Sequence, residues 1–400
     1  MALVVGLVLL AANLRLSVAG LPPVLPDLGG QLGLSGPVLS ALAATPVVCF
    51  GLFSFVAAPL RGWLGEERTV FAALACILLG LAVRAAVPAV LLFPGTILAC
   101  AGIAVANVLS TSLIKRRGAG HVSGLLSIYS VSLMAGSTLS GAIAVPIYRA
   151  AGDSLLVALG VWTLPAAVAL AAWVPQLGLA SGEAARPAAA ARVGILALRR
   201  SPIAWQVALF MGVQSISYYV LLSWLPTLLR GRGVHPVEAG LLLGAFSVAN
   251  VFTGTASPLL ARRLGPRPVI ATAMVCFVVG LFAVTAAPIG TAIVWVVLLG
   301  LSQGFLLPIA LLLMMVRAAD GATSAALSGM AQGVGYLLAA GGTFVVGVLH
   351  ATTGSWTVPI AILVVDAAAG LVIGWGATRD RVVDGHASRR GAPLEQPTPR

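Results

Sequence analysis

Residues 2–27, ALVVGLVLLAANLRLSVAGLPPVLPD, decide which solvent this chain is built for. An α-helix rises 1.5 Å per residue, so about 20 apolar residues cross the roughly 30 Å hydrocarbon core of a bilayer. The stretch is long enough, and its one charge before Asp27 is Arg15, in the middle of the run. No basic residue precedes the apolar run, so it reads as a retained first helix rather than a cleaved leader.

Outward from it, comparable runs fall at 37–60, 68–86, 88–114, 121–149 and 152–174. A second set follows at 201–230, 236–261, 267–287, 289–316, 321–349 and 355–377. Pro88 and Pro288 break the two tightest pairs, because proline lacks the N–H that a helix interior needs. The expectation is an all-α integral membrane protein with twelve transmembrane helices. Residues 1–174 form an N-terminal six-helix bundle and residues 201–377 a C-terminal one. Between them, 175–200 carries Glu183, Arg186, Arg192, Arg199 and Arg200 and reads as a cytoplasmic linker, partly amphipathic. Residues 378–400 read as a polar, disordered cytoplasmic tail.

Composition agrees with a lipid solvent. Of 400 residues, 60% are hydrophobic and 8% charged, whereas soluble domains carry about 25% charged residues to coat their surface. The net charge of +12 in a soluble chain would suggest nucleic acid. Here the cations sit in short clusters between apolar runs, so no nucleic-acid partner is expected. With the N-terminus in the cytoplasm, eighteen Lys and Arg fall on the cytoplasmic side, and only Arg84, Arg149, Arg230 and Arg232 fall outside. That asymmetry is the positive-inside pattern and sets both termini in the cytoplasm. Almost all the cations are arginine and the chain is rich in Ala and Gly, which points to a bacterial plasma membrane. Cys49, Cys76, Cys100 and Cys276 lie inside apolar runs without metal-ligand spacing and read as small buried hydrophobes. No metal or other cofactor is expected.

The halves also resemble each other at an offset near 200. Leu25-Pro26 recurs as Leu225-Pro226, and Leu64-Gly65 as Leu264-Gly265. Ser123-Gly124 with Ala135-Gly136 recurs as Ser328-Gly329 with Ala340-Gly341. Each match is weak alone, but their order is the same in both halves. A parallel duplication of six helices places a substrate site near the midplane between the halves.

Longer segments carry a family resemblance. Asn13-Leu14-Arg15, GIAVANVLSTSLIKRR (102–117), GLLSIYSVSLMAG (124–136), QSISYYVLLSWLP (214–226) and LSGMAQGVGYLLAAGG (327–342) resemble helices 1, 4, 5, 7 and 11 of the cyanate-permease-like (CynX/NimT) family of the major facilitator superfamily. Leu16 stands where that family usually has proline, and the loop PLRGWLGEER (59–68) lacks the aspartate of the superfamily's loop motif. The resemblance implies a secondary transporter working by alternating access, with helices 1, 4, 7 and 10 around the cavity and helix 12 at the periphery. It associates the chain with cyanate uptake and with export of nitroimidazole-type compounds.

Arg15 is the candidate centre of the site. An arginine at mid-bilayer costs about 2.5–3.5 kcal/mol on insertion scales, and such groups are functional by default. Its fork of donors suits a planar oxyanion or carboxylate. Asn13 lies two residues away. Gln214 and Tyr218, and likewise Gln332 and Tyr336, are four apart and so share a helix face. Tyr219, Asn107, Tyr129, Asn250 and Gln303 complete the expected substrate-binding set. The competing reading of each polar residue is interhelical hydrogen bonding. Asp366, midway along the peripheral twelfth helix, reads as a local structural carboxyl.

The expected function is uptake of a small anionic or polar organic compound, cyanate- or carboxylate-like, by a monomer, with proton coupling in reach. Efflux of neutral nitro-heterocycles is the alternative. The four histidines, His121, His235, His350 and His386, form no acid–base constellation with a carboxylate, so an enzyme is not expected.

Overall fold

The computed structural model describes residues 2–117, 122–178, 198–319, 321–379, 381 and 383. Most of the linker (179–197) and of the tail beyond 379 lies outside the described residues. Twelve helices are long and apolar enough to cross a membrane. We number them α1 (Ala2–Ala19), α2 (Gly36–Phe53), α3 (Glu66–Ala86), α4 (Pro88–Arg117), α5 (Val122–Ala150) and α6 (Thr163–Gly178) in the first half. The second half holds α7 (Pro202–Gly231), α8 (Pro236–Leu264), α9 (Pro266–Ala286), α10 (Ala292–Val316), α11 (Gly321–Thr353) and α12 (Thr357–Ala377).

Local chemistry sets the boundaries. Proline opens α4, α7, α8 and α9, where its missing N–H would be unpaired in any case and its fixed φ suits a first turn. At α7 the Ser201 hydroxyl accepts from the Ala204 amide at 3.3 Å, a conventional N-cap. The first span departs from one continuous helix. After α1 the chain passes Pro22-Pro23 as a 3-10 turn and resumes as a short helix, Leu25–Leu32. The second span likewise breaks at Ser54–Val56 and resumes at Ala57–Leu64.

The internal repeat has a physical counterpart. Gly65 (φ 81°, ψ 163°) joins the end of the second span to α3, and Gly265 (φ 83°, ψ 157°) joins α8 to α9. Both need a backbone conformation that glycine alone adopts cheaply. The same turn, at equivalent places, explains why Leu-Gly recurs. Close approach repeats too. Gly136 of α5 packs on the Ala12 backbone of α1, and Gly335 of α11 packs on Met211 and Gly212 of α7. Small residues at membrane helix contacts let backbones come this near.

With an even number of spans, α1 begins and α12 ends on one face, here the terminal face; the opposite one is the far face. The halves meet mainly through α2 with α11 and α5 with α8. Those contacts lie toward the far face: Gly36 against Ala351, Ser40 against Gly347, and Gly141 against Gly240. At the far rim Asp27 accepts from Arg230 (2.7 and 3.3 Å) and from Arg149 (3.2 Å), and Arg149 also donates to Asp153 at 2.8 Å. Toward the terminal face the second-half wall of the cavity reaches Pro258 and Pro308, about two turns from the ends of α8 and α10. The conformation is sealed at the far face.

Arg84, one of the four cations expected on the outer side, is not in contact with solvent. It lies in the last turn of α3, at the far-face end, but it is buried inside the first half and donates to the Ser17 carbonyl at 3.2 Å. The enclosure of the helices separates centre from periphery: 83% of the most apolar window of α7 is buried, against 28% for α12.

Candidate substrate site

Between the halves lies a cavity of about 490 Å³, reaching from Arg15 at mid-depth to Pro258 and Pro308. Arg15 stands on α1, about 20 Å along the helix axis from its start at 1.5 Å per residue. Four of the chain's five tyrosines, Tyr129, Tyr218, Tyr219 and Tyr336, stand around its guanidinium. Among the described residues no carboxylate pairs with Arg15; the ion pairs of Asp27 with Arg149 and Arg230 lie at the far rim.

An aromatic shell closes the inner end. Phe50 of α2 lies 6.4 Å from the Tyr219 ring and 6.3 Å from the Tyr336 ring. Tyr218 stacks on Phe246 at 6.0 Å and meets Tyr219 edge-on at 5.1 Å. Such offset and edge contacts are favourable and hold the rings in defined positions. Behind Tyr219 a small pocket continues toward the far seal, lined by Val18, Leu42, Leu222 and Ser223 among others. Tyr219 borders both spaces and is the partition between them.

Of the residues expected from sequence, Arg15, Gln214, Tyr218, Tyr219, Asn250, Gln303 and Tyr336 line the cavity. Gln214 is tethered, its Nε2 donating to Ser215 Oγ at 2.7 Å and to the Met211 carbonyl at 3.1 Å. Gln303 is buried, and neither amide atom has a hydrogen-bond partner. A buried amide left open in this way costs free energy until something pairs with it. Asn13 is placed elsewhere: its Nδ2 donates to Leu9 O (2.8 Å) and across to Pro165 O (3.0 Å), tying α1 to α6. Tyr129 donates to Asn107 Oδ1 at 3.0 Å and stands beside Arg15, but neither it nor Asn107 lines the cavity; Gln332 does not line it either.

The sequence reading passed over several lining hydroxyls, Ser130, Ser137, Ser215, Ser247 and Thr255. Ser137 and Ser247 meet at 3.3 Å across the halves. Helical phase from Tyr218 could have found Ser215, three residues earlier. For Phe50 and Phe246 no signal exists, because an aromatic on a lipid-facing side looks the same in one dimension.

Helices α8 and α10, which carry Asn250 and Gln303, are locked together. Thr253 donates to Leu301 O and Ser257 to Phe305 O, both at 2.8 Å and both four residues apart. Gly304 lies between these bonds against the Asn250 carbonyl and the Thr253 hydroxyl, with no room for a Cβ. Gly304→Ala is therefore expected to push α10 off α8 at a cost of about 1–3 kcal/mol. A lower melting temperature and less monodisperse protein would show it, and an unchanged melting point would contradict this packing.

The geometry is that of a solute pathway: twelve spans, two bundles, and a polar pocket at the midplane sealed on one side. The sequence model described as Major Facilitator Superfamily matches residues 7–340. The chain belongs to the major facilitator superfamily. It is a multi-pass membrane transporter, not an enzyme. Among relatives of this superfamily member, the 2-nitroimidazole transporter of Escherichia coli (strain K12) is 34% identical, covering 95% of this chain and 96% of the relative. The cyanate transport protein CynX of the same organism is 28% identical over 88% of this chain and 90% of its own. A crystal structure of a D-xylose-proton symporter superimposes with a TM-score of 0.75 at 14% identity, covering 96% and 98% of the two chains. That likeness concerns the fold alone.

Proposed function

We propose that this transporter carries a small planar organic anion, cyanate- or carboxylate-like, into the bacterial cytoplasm by alternating access. The observation that carries the reading is Arg15, a cation at mid-membrane with tyrosines around it and no carboxylate paired to it. A carboxylate-like anion entering the cavity pairs with the guanidinium in two parallel hydrogen bonds, the geometry that arginine is built for, and a linear cyanate in one. The rings of Tyr218 and Tyr336 offer flat apolar walls, and the open amide of Gln303 offers one more donor and acceptor. Pockets of this build fix orientation with a few polar groups and draw affinity from apolar walls.

The relatives support the size and shape of the cargo, since cyanate and 2-nitroimidazole are both small and flat. In this reading the halves, 1–174 and 201–377, rock about the site with 175–200 as a cytoplasmic linker, and the monomer is the working unit. The terminal face is the cytoplasmic one because the arginine clusters lie there. Tyr219 and the Asp27–Arg230 seal then form the outward barrier. Efflux of a neutral heterocycle is not favoured, because a neutral cargo offers the Arg15 guanidinium no ionised acceptor.

The test is a thermal-shift and calorimetric comparison of purified protein with cyanate, benzoate, 2-nitroimidazole and the neutral benzamide. Cyanate or benzoate is expected to bind and raise the melting temperature, with benzamide inert. Equal binding of benzamide and benzoate would refute an anion site.

A further inference from the structure

One carboxylate in the interior of the described spans is not used by the anion site. Asp366, midway along α12, is buried, and its one hydrogen-bond partner among the described residues is the Ser217 hydroxyl of α7, which donates to Oδ2 at 2.6 Å. Gly370, one turn on, packs on Val213 of α7 and Met274 of α9, so α12 lies tight against both helices there. The helices packed on α12 are α7, α9 and α11. Their titratable or charged groups are Tyr218, Tyr219 and Arg230 on α7, Arg267 and Cys276 on α9, and Tyr336 and His350 on α11. Arg230 pairs with Asp27 at the far rim, Arg267 lies over Trp375 near the terminal end, and His350 stacks on Trp356 near the far end. The tyrosines surround Arg15, and Cys276 is two residues from Met274. None forms an ion pair with Asp366.

Ser217, Tyr218 and Tyr219 are consecutive. The same turn of α7 thus bonds Asp366 through Ser217 and places Tyr218 and Tyr219 beside Arg15 in the cavity. We propose that Asp366 is the proton-carrying group of this transporter and that one proton moves with each anion. The proposal rests on the reading in which Arg15 holds the anion.

The physical basis is the cost of burying an unbalanced charge. The empty carrier holds Arg15 positive and Asp366 negative, and the sum is zero. The fully loaded carrier holds an anion on Arg15 and a neutral, protonated Asp366, and the sum is again zero. The two half-loaded states each carry one unbalanced charge into a low-dielectric core, so they cross slowly. In loading, the carboxylate takes one proton from water of the compartment to which the cavity is open and becomes the acid. On the other side the acid returns that proton to water as the anion leaves. Nothing is oxidised or reduced, and net transport is electroneutral.

Proteoliposomes carrying the full chain, with labelled benzoate as probe and protein-free vesicles subtracted, test this. A pH gradient is expected to drive accumulation in the parent protein, and a potassium–valinomycin potential at equal pH is not. Asp366→Asn resembles a permanently protonated carrier, so its empty form bears an unbalanced charge. It is expected to keep equal-pH exchange of labelled for unlabelled benzoate while net uptake falls at least about tenfold. Undiminished pH-driven uptake in Asp366→Asn, or uptake driven by potential alone in the parent, would overturn the proposal. Exchange that is absent in the parent, or present in Arg15→Gln, would instead sink the anion reading. Two further measurements stand apart from benzoate and from the folding of one variant. Infrared spectra of the parent should contain a titrating carboxylic C=O stretch that Asp366→Asn lacks, and absence of that band contradicts the assignment. Ser217→Ala should move the pH at which that band is half-developed, and an unmoved midpoint would contradict the link to α7.

Discussion

Replacing Arg15 by glutamine is expected to abolish measurable uptake and weaken anion binding about 10–100-fold, the loss of charge-assisted hydrogen bonds worth roughly 1.5–3 kcal/mol. The same substitution is expected to raise the melting temperature, since it removes a charge that costs about 2.5–3.5 kcal/mol at a membrane centre. The opposite signs matter. An arginine kept for structure would lose stability when replaced, whereas one kept for cargo is held against stability. Arg15→Lys keeps the charge and loses the planar fork, so intermediate binding is expected. Uptake and ligand-induced melting shifts, measured on all three proteins, decide between these accounts.

Opening the far seal is the second large effect. Asp27 takes hydrogen bonds from Arg230 and Arg149, and its side chain is 11% exposed against 20% and 45% for the two arginines. The Arg230 bond is the better sheltered, and it joins the first half to the second. Asp27→Ala removes both bonds and leaves Arg230 with only the Pro23 carbonyl, at 3.3 Å. Partial exposure discounts the pair, so about 1–2 kcal/mol of sealing energy is expected to go, a shift of roughly 5–30-fold toward far-side opening. Ser223 is buried in the small pocket beneath the seal and is a natural reporter. In a protein lacking the four native cysteines, Ser223→Cys should react faster with an impermeant thiol reagent by that factor when Asp27 is alanine. An unchanged rate would show that the helix contacts alone hold the seal.

The parts of this architecture that were legible in sequence are those with one-dimensional causes. A span is a length of apolar chain, and 201–230 against Pro202–Gly231 shows how closely proline and serine mark an end. The break at Pro22-Pro23 was less legible, because the apolar run continues through it. Arg15 stood out through the cost of its depth, and Gln214 with Tyr218 through helical phase. Asn13 looked equivalent to them, yet the neighbour that takes its amide is the Pro165 carbonyl of a helix about 150 residues away, and polarity alone does not name a neighbour. Arg84 is a related case: its place in the last turn of the third span was legible, but the Ser17 carbonyl of α1 that takes its guanidinium inside the bundle is a tertiary fact. Asp366 shows the limit most clearly. Its place on a peripheral helix was legible, but the Ser217 bond that ties it to the wall of the cavity is a tertiary fact.

The central claim is that an anion sits on Arg15 inside the ring of tyrosines. Anomalous scattering from crystals grown with para-bromobenzoate tests it most directly. The bromine peak is expected in the cavity between Tyr218 and Tyr336, with the carboxylate on the guanidinium. A peak on the lipid-facing groove near Phe252 and Val297, or an undiminished cavity peak in Arg15→Gln crystals, would contradict it.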